Sequence, residues 1–270
     1  LPHRLILPLI LPLVFMCLLL ACAGCTSHES SNPAADGVLR VGTDATYPPF
    51  EMVNPATGKP EGFDIDLITE LCRVHGWKPE FIITPFDGIV PGLNGRKYDV
   101  IISAMTITPE RAAVVRFSNP YYTAGQTIAV PLHDSAITAV EHLVGKRVGV
   151  QLGTTGQLMA RRMSGVQVFS YENIGAAFLD LRNGNLDAVL NDYPTTRKYI
   201  NRHQDARTVG ELLSTEQYGI AVRRRDDSLL ALVNAALDTL HESGVLDSLH
   251  LKWFGVPYQK PDTTIRPHEL

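Results

Sequence analysis

The sequence predicts an α/β protein of two lobes, each a mainly parallel sheet flanked by helices, joined by two strands. Three observations carry this expectation. From Val38 onward, short β-rich runs alternate with amphipathic helical patterns, the signature of βαβ units. That alternation breaks off and restarts near residue 126, so the pattern is written twice. The chain has 270 residues, which suits two domains at about 150 residues each. Its 45% hydrophobic and 19% charged residues supply a sizeable core and exclude whole-chain disorder.

The first lobe opens with VLRVG at 38–42 as a strand. Phe63, Leu67, Leu71 and Val74 then recur at helical spacing, predicting a helix from Phe63 to His75 that Gly76 ends. EFIIT at 80–84 is the next strand, Ile89 and Leu93 mark a short helix, and DVIIS at 99–103 closes the unit. In the second lobe QTIAVP at 126–131 is extended, and RVGV at 147–150 leads through LGTTG into a helix at 154–163. VQVFS at 166–170, a helix at 172–183 and DAVLN at 187–191 repeat the unit. YGIAVRR at 218–224 is again a strand, followed by helices near 227–243 and 245–254 with Gly244 between them. The stretches 126–131 and 218–224 bracket the second lobe and are the expected crossings. The organisation expected is lobe 1 over 38–128 and 222–258, lobe 2 over 129–221, and a polar tail at 259–270.

What precedes the first strand reads as an address. Leu5 to Ala21 is an apolar run without a charge behind the basic Arg4, at the short end for a membrane span and broken by Pro8 and Pro12. A secretory signal over 1–21 is the better reading. The junction LLACAGC resembles the bacterial lipoprotein signal, in which an aliphatic and a small residue precede the Cys that is diacylated. Cys22 has Leu19 three residues upstream and is the preferred site, with Cys25 as the alternative. Residues 22–37 form a Ser-, Asn-, Pro- and Gly-containing tether. Cys72 falls within a helical pattern and is expected as a buried apolar filler, not a disulfide partner.

Charge and motifs exclude several function classes. The balance of 24 Lys+Arg against 28 Asp+Glu gives a net charge of −4, so no basic field exists to hold nucleic acid. There is no H-E-x-x-H, G-x-S-x-G or Walker loop, and Gly149, Gly153 and Gly156 miss the dinucleotide spacing. No cofactor and no metal are expected.

Six blocks in order carry a resemblance: VGTDATYPPFE (41–51), EGFDIDL (61–67), FDGIVPGLNGRKYDVIISAMTITPER (86–111), FSNPYY (117–122), KRVGVQLGTTG (146–156) and LDAVLNDY (186–193). Together they resemble the family 3 extracellular solute-binding proteins, the polar amino-acid receptors of ABC importers, over about 38–255. The resemblance implies the two-lobed periplasmic-binding-protein fold with a two-strand hinge, a monomer that takes a free amino acid between its lobes, and an ABC permease as partner in the membrane. Cyclohexadienyl dehydratases resemble the same family. They carry Thr-Asn where this chain has Thr154-Thr155, and Trp where it has Phe86, and both differences point to binding instead of catalysis.

An α-amino acid presents a carboxylate, an ammonium and a side chain, so a receptor needs a fixed cation, a fixed anion and a selective pocket. Arg111 is the carboxylate partner expected, because its planar fork can hold both oxygens. The alternative makes it a surface partner of Glu110. The backbone around Ser103, Ala104 and Thr106, with the hydroxyls of Thr106, Thr154 and Thr155, can add donors. Thr154 and Thr155 stand where GTTG enters a helix, whose free N–H groups favour an anion. Asp192 follows a strand's C-terminal end, where open α/β sheets bind ligands. The resemblance assigns it to the α-ammonium, and the alternative is a helix cap. By the same resemblance Tyr47 and Phe86 sandwich the ligand side chain and Asp44 accepts from its polar tip. Two rings and a carboxylate suit a cationic side chain (arginine, lysine or histidine), although glutamine also satisfies Asp44. Gln151 faces them from the second lobe. Glu51, Asp64 and Asp66 are expected as structural ion pairs or helix-start caps, and Tyr121 and Tyr122 as packing near a crossing.

Overall fold

The computed structural model describes residues 36–261. The signal expected at 1–21, Cys22, Cys25, most of the tether and residues 262–270 of the tail lie outside the described residues. Lobe 1 runs through β1 (Val38–Thr43), β2 (Thr46–Tyr47), β3 (Glu51–Val53), β4 (Pro60–Glu61), α1 (Phe63–His75), β5 (Lys78–Ile83), α2 (Phe86–Asn94), β6 (Val100–Ile101), α3 (Pro109–Ala112) and β7 (Val115–Phe117). The chain then leaves through β8 (Tyr122–Ala124). Lobe 2 holds β9 (Gln126–Pro131), β10 (Arg147–Gln151), α4 (Thr155–Arg162), β11 (Gln167–Tyr171), α5 (Ile174–Arg182), β12 (Ala188–Asp192), α6 (Tyr193–His203) and β13 (Ala206–Val209). The return passes through β14 (Glu216–Tyr218) to β15 (Ala221–Arg223), and α7 (Asp227–Glu242) and α8 (Val245–Phe254) pack back on lobe 1.

Each lobe is centred on a five-stranded sheet, ordered β5-β1-β6-β15-β7 in lobe 1 and β11-β10-β12-β9-β13 in lobe 2. Three adjacent strands in each are parallel, and the remaining two pairings are antiparallel, so both sheets are mixed. The reason is topological. β9 and β15 are the first strands after each crossing, and each enters its sheet against the direction of its neighbour β12 or β6.

The crossings themselves differ from the sequence expectation. The strands that link the lobes are β8 and β14, which pair antiparallel with Tyr122 opposite Tyr218 and Ala124 opposite Glu216. Residues 126–131 and 221–223 belong to the central sheets, where all but Pro131 are buried. A long apolar run is what a sheet interior needs. The true crossings are three residues each and mix polar with aromatic side chains, too short for a periodic signal.

Helix α1 forms as expected, burying Phe63, Leu67, Ile68 and Leu71 while Val74 stays 38% exposed in its last turn. Gly76 adopts a left-handed φ of 70° and donates its N–H to the carbonyls of Arg73 and Cys72, closing the helix. Cys72 is free and buried. Rings of Phe50, Phe63, Tyr122, Tyr218 and Phe254 pack around the crossing, with Phe50 and Tyr122 centroids 4.9 Å apart and Tyr122 and Tyr218 stacked at 5.7 Å. The crossing is thereby seated on the lobe 1 core. Among the described residues no helix is long and apolar enough to cross a membrane.

Candidate functional site

The C-terminal ends of β1, β6, β10 and β12 converge between the lobes, the position at which open α/β sheets accept ligands. A single small cavity there is lined by Asp44, Tyr47, Glu51, Phe86, Ser103, Ala104, Thr106, Arg111, Gln151, Thr154, Thr155 and Asp192. All eleven binding residues expected from the sequence are in this lining, and Glu51 is the addition. The volume open to the centre of a water molecule is about 20 Å³, room for a single water. The site's polar groups fill the cleft by bonding one another.

Lobe 1 supplies Arg111 from the short helix α3, whose N-cap Thr108 accepts the Arg111 backbone N–H at 3.2 Å. The guanidinium donates to the Thr106 carbonyl at 2.8 Å and, across the cleft, to the Gly153 carbonyl at 3.0 Å. It therefore meets carbonyls from both lobes and makes no bond to Glu110. Burial pulls its pKa down, and the charges of Glu216 and Asp192 push it back up. Arg111 Cζ sits 5.2 Å from the centroid of Phe86, the first residue of α2, a cation–π contact.

Asp44 directly follows β1. Its carboxylate accepts from Thr46 Oγ1 at 2.7 Å and from the amide of Gln151 in lobe 2 at 3.0 Å. Burial raises its pKa, and these two donors counter the rise. Ser103 receives the Asp44 N–H on its Oγ at 3.0 Å and donates to Glu51 Oε1 at 2.8 Å. Ala104 holds a positive φ of 44°, an uncommon setting for a residue with a Cβ, and its N–H donates to Asp64 Oδ2 at 2.7 Å. Tyr121 donates to the same oxygen at 2.9 Å.

Glu51 and Asp64 do not form the ion pairs expected of them. Both are fully buried, and Glu51 Oε2 and Asp64 Oδ1 have no hydrogen-bond partner. Burial pushes both pKa values up, and the charge of Asp64 drives Glu51 further. Ser103 donates to Glu51, and Ala104 and Tyr121 donate to Asp64, but two buried carboxyls so close together favour a protonated form over joint ionisation. Asp66 behaves as expected, pairing with Lys252 at 2.7 Å and accepting from Trp253 at 2.6 Å.

In lobe 2, Asp192 occupies the N-cap position of α6 but makes no capping bond with its side chain. Its carboxylate instead accepts from Tyr218 at 2.5 Å, from Tyr47 at 2.8 Å and from Gln126. Burial, then the charge of Glu216, pushes its pKa up to about 7. Thr154 caps α4: its Oγ1 accepts the Gln157 N–H at 3.2 Å and its proton goes to the Gln151 carbonyl at 2.7 Å. That hydroxyl is not the free donor expected from the sequence. Thr155 donates to Glu216 at 2.8 Å, as Thr106 does at 2.6 Å.

Sequence reasoning missed Gln126, Asn191, Glu216 and Tyr218, of which Asn191 meets the Tyr47 hydroxyl at 2.7 Å. Glu216 is an acidic residue in STEQYG, on the short strand of the return crossing, and nothing in that segment alone sets it apart. Among the described residues no group of three or more His, Cys, Asp and Glu side chains could hold a metal ion.

Comparison with known proteins fits this geometry. The family model for bacterial extracellular solute-binding proteins, family 3, matches residues 39–256. ABC transporter arginine-binding protein 1 of Escherichia coli (strain K12) is 35% identical over 222 residues, covering 80% of this chain and 90% of that protein. A crystal structure of a mutant of ArgBP from T. maritima superposes with a TM-score of 0.80 at 43% identity, covering 83% of this chain and 97% of that one. An ancestral arginine-binding protein bound to glutamine gives a TM-score of 0.78 at 43% identity, covering 81% of this chain and 98% of that one. The chain is a member of the bacterial extracellular solute-binding proteins, family 3, with the two-lobed α/β fold of its structural neighbours.

Proposed function

We propose that this protein is a lipid-anchored extracytoplasmic receptor that binds a cationic L-amino acid between its lobes and delivers it, as a monomer, to an ABC importer. The observation that carries the reading is that one cavity between the lobes is lined by a cation, carboxylates and two aromatic rings. In this reading Arg111 takes the carboxylate, Asp192 the ammonium, and Asp44 with the rings of Tyr47 and Phe86 the side chain, all from the same lining. Entry requires the lobes to part, because the groups now satisfy one another. The ligand carboxylate then joins Arg111, its ammonium joins Asp192, and its tip takes the place of the Gln151 amide on Asp44. Hinge bending at β8 and β14 recloses the lobes and presents a surface to the permease. Attachment through Cys22, with Cys25 as the alternative, would keep the receptor at the membrane. Cys22→Ser should release it, and release by Cys25→Ser alone would reverse the choice.

One observation favours a second reading, a receptor for glutamine. Asp44 already accepts from a carboxamide, that of Gln151, at 3.0 Å, and a glutamine side chain would repeat that bond. A thermal-shift screen of the twenty amino acids separates the two, since a ligand at about 100 times its dissociation constant stabilises by about 2.7 kcal/mol. Arginine, lysine or histidine should give the largest shift. Absence of a shift with every amino acid, or turnover of prephenate, would overturn the receptor assignment.

A further inference from the structure

Glu216 lies just behind the cavity, on the return crossing β14, and is 2% exposed. Its carboxylate takes three hydroxyl protons: Oε2 accepts from Thr106 at 2.6 Å and Thr155 at 2.8 Å, and Oε1 from Ser214 at 2.9 Å. Thr106 belongs to lobe 1, where its backbone bridges Tyr218 and its carbonyl holds Arg111. Thr155 opens α4 in lobe 2. One carboxylate oxygen on the crossing therefore ties together two hydroxyls from opposite lobes. A buried carboxylate persists only when its oxygens are satisfied, and the hydroxyls do this here.

The direction of these bonds fixes the polarity of the site. A threonine hydroxyl has one proton and two lone pairs. Both Thr106 and Thr155 give the proton to Glu216, and Thr155 also accepts from Gln126 Nε2 at 3.2 Å. Toward the cavity, each can then only accept. An accepting oxygen matches the N–H of an ammonium and is repelled by a carboxylate.

We propose that Glu216 is a positioning residue of the binding site: it clasps Thr106 and Thr155 in the closed state and turns both hydroxyls into acceptors for the ligand's α-ammonium group. This rests on the amino-acid receptor reading, and it reassigns the two hydroxyls from the carboxylate to the ammonium. Arg111 and backbone N–H groups are left to hold the carboxylate.

The test uses the full chain and compares a ligand with its counterpart lacking the ammonium: arginine with δ-guanidinovalerate, and glutamine with glutaramate. Calorimetry on the wild type should show the intact amino acid preferred. In Glu216→Gln that preference should shrink by about tenfold to a hundredfold, the scale of charge-assisted hydrogen bonds, while binding of the deaminated ligand changes little. Thr155→Val should shrink it in the same direction, and Thr155→Ser should restore it, so the idea stays testable if Glu216→Gln does not fold. Equal weakening of both ligands, with the preference intact, would make Glu216 merely structural and overturn the proposal. A wild type that binds none of the four compounds would overturn the receptor reading together with it.

Discussion

The two lobes share one construction device and diverge where the cleft begins. In lobe 1, Arg40 on β1 grips Asp99 ahead of β6 through its backbone N–H at 3.2 Å, Nε at 3.0 Å and Nη2 at 3.3 Å. In lobe 2, Arg147 on β10 grips Asp187 ahead of β12 through the same three donors at 2.8, 3.1 and 2.7 Å. Two residues along, each strand carries a glycine for the same reason. A Cβ on Gly42 would meet the ring of Tyr98 at 2.5 Å, and one on Gly149 would meet Leu186 at 2.4 Å. Tyr98 and Leu186 are the residues just before Asp99 and Asp187. The segments LRVG and KRVG thus write one strand-pairing device twice. At the far ends of the same strands the chemistry separates: Asp44 and Ser103 to Thr106 in lobe 1, Gln151 and Asp192 in lobe 2. Equivalent scaffolds carry non-equivalent ends, so the fold can be duplicated while the site remains asymmetric, as an amino acid itself is.

The comparison breaks most visibly if its shared device is removed from each lobe in turn. Asp99 is nearly buried and also holds Arg223, whereas the Asp187 side chain is 29% exposed. Asp99→Ala should therefore destabilise by about 3 to 5 kcal/mol, and Asp187→Ala by about 1 kcal/mol or less. Denaturant midpoints of the two variants measure this, and equal losses would show that burial does not distinguish the pairs.

Next in size, Arg111→Ala should weaken amino-acid binding by about 2 to 5 kcal/mol while leaving unliganded stability nearly unchanged. Calorimetry with arginine checks the first part and thermal melting the second. A similar loss from Asp192→Asn would place one charge partner in each lobe.

The pH profile sharpens the same asymmetry, because Asp192 is raised to about 7. A carboxyl raised in the folded state binds more protons folded than unfolded, so its contribution to stability is greatest at low pH and is lost as pH rises toward 7. Ligand affinity runs the opposite way, since an ammonium needs the ionised form. Affinity should climb up to about pH 7 and then level off, and be about a hundredfold lower near pH 5. A flat affinity profile over that range would remove Asp192 from the ammonium.

The smallest effect expected is at Phe86, where Phe86→Ala should weaken a cationic ligand by about 0.5 to 2 kcal/mol. Titration of that variant with arginine and with glutamine should show the larger loss for arginine.

How much of this was legible in the sequence follows from where each element gets its stability. Helix α1 was read to its ends, because Phe63, Leu67 and Leu71 face the core at helical spacing and Gly76 closes it. Helix α6 was not, since YPTTRKYINRH buries only Thr195 and Thr196 and shows no apolar stripe. Arg111 and Asp192 stand out in the sequence as charge at a loop or strand end, Asp44 only through the family resemblance, and all three line the cavity. Glu216 was not legible, because its partners are hydroxyls scattered over three segments. Glu51 and Asp64 were misread because sequence shows two acids but not the absence of a cation beside them.

A calorimetric titration of wild type and Asp44→Asn with arginine and glutamine tests whether the asymmetric ends read a cationic amino acid. Wild type should bind arginine more tightly, and Asp44→Asn should lose about tenfold or more for arginine but little for glutamine, since only arginine loses a charge-assisted contact. Tighter binding of glutamine than arginine by wild type, or an equal loss for both ligands in Asp44→Asn, would contradict the cationic reading.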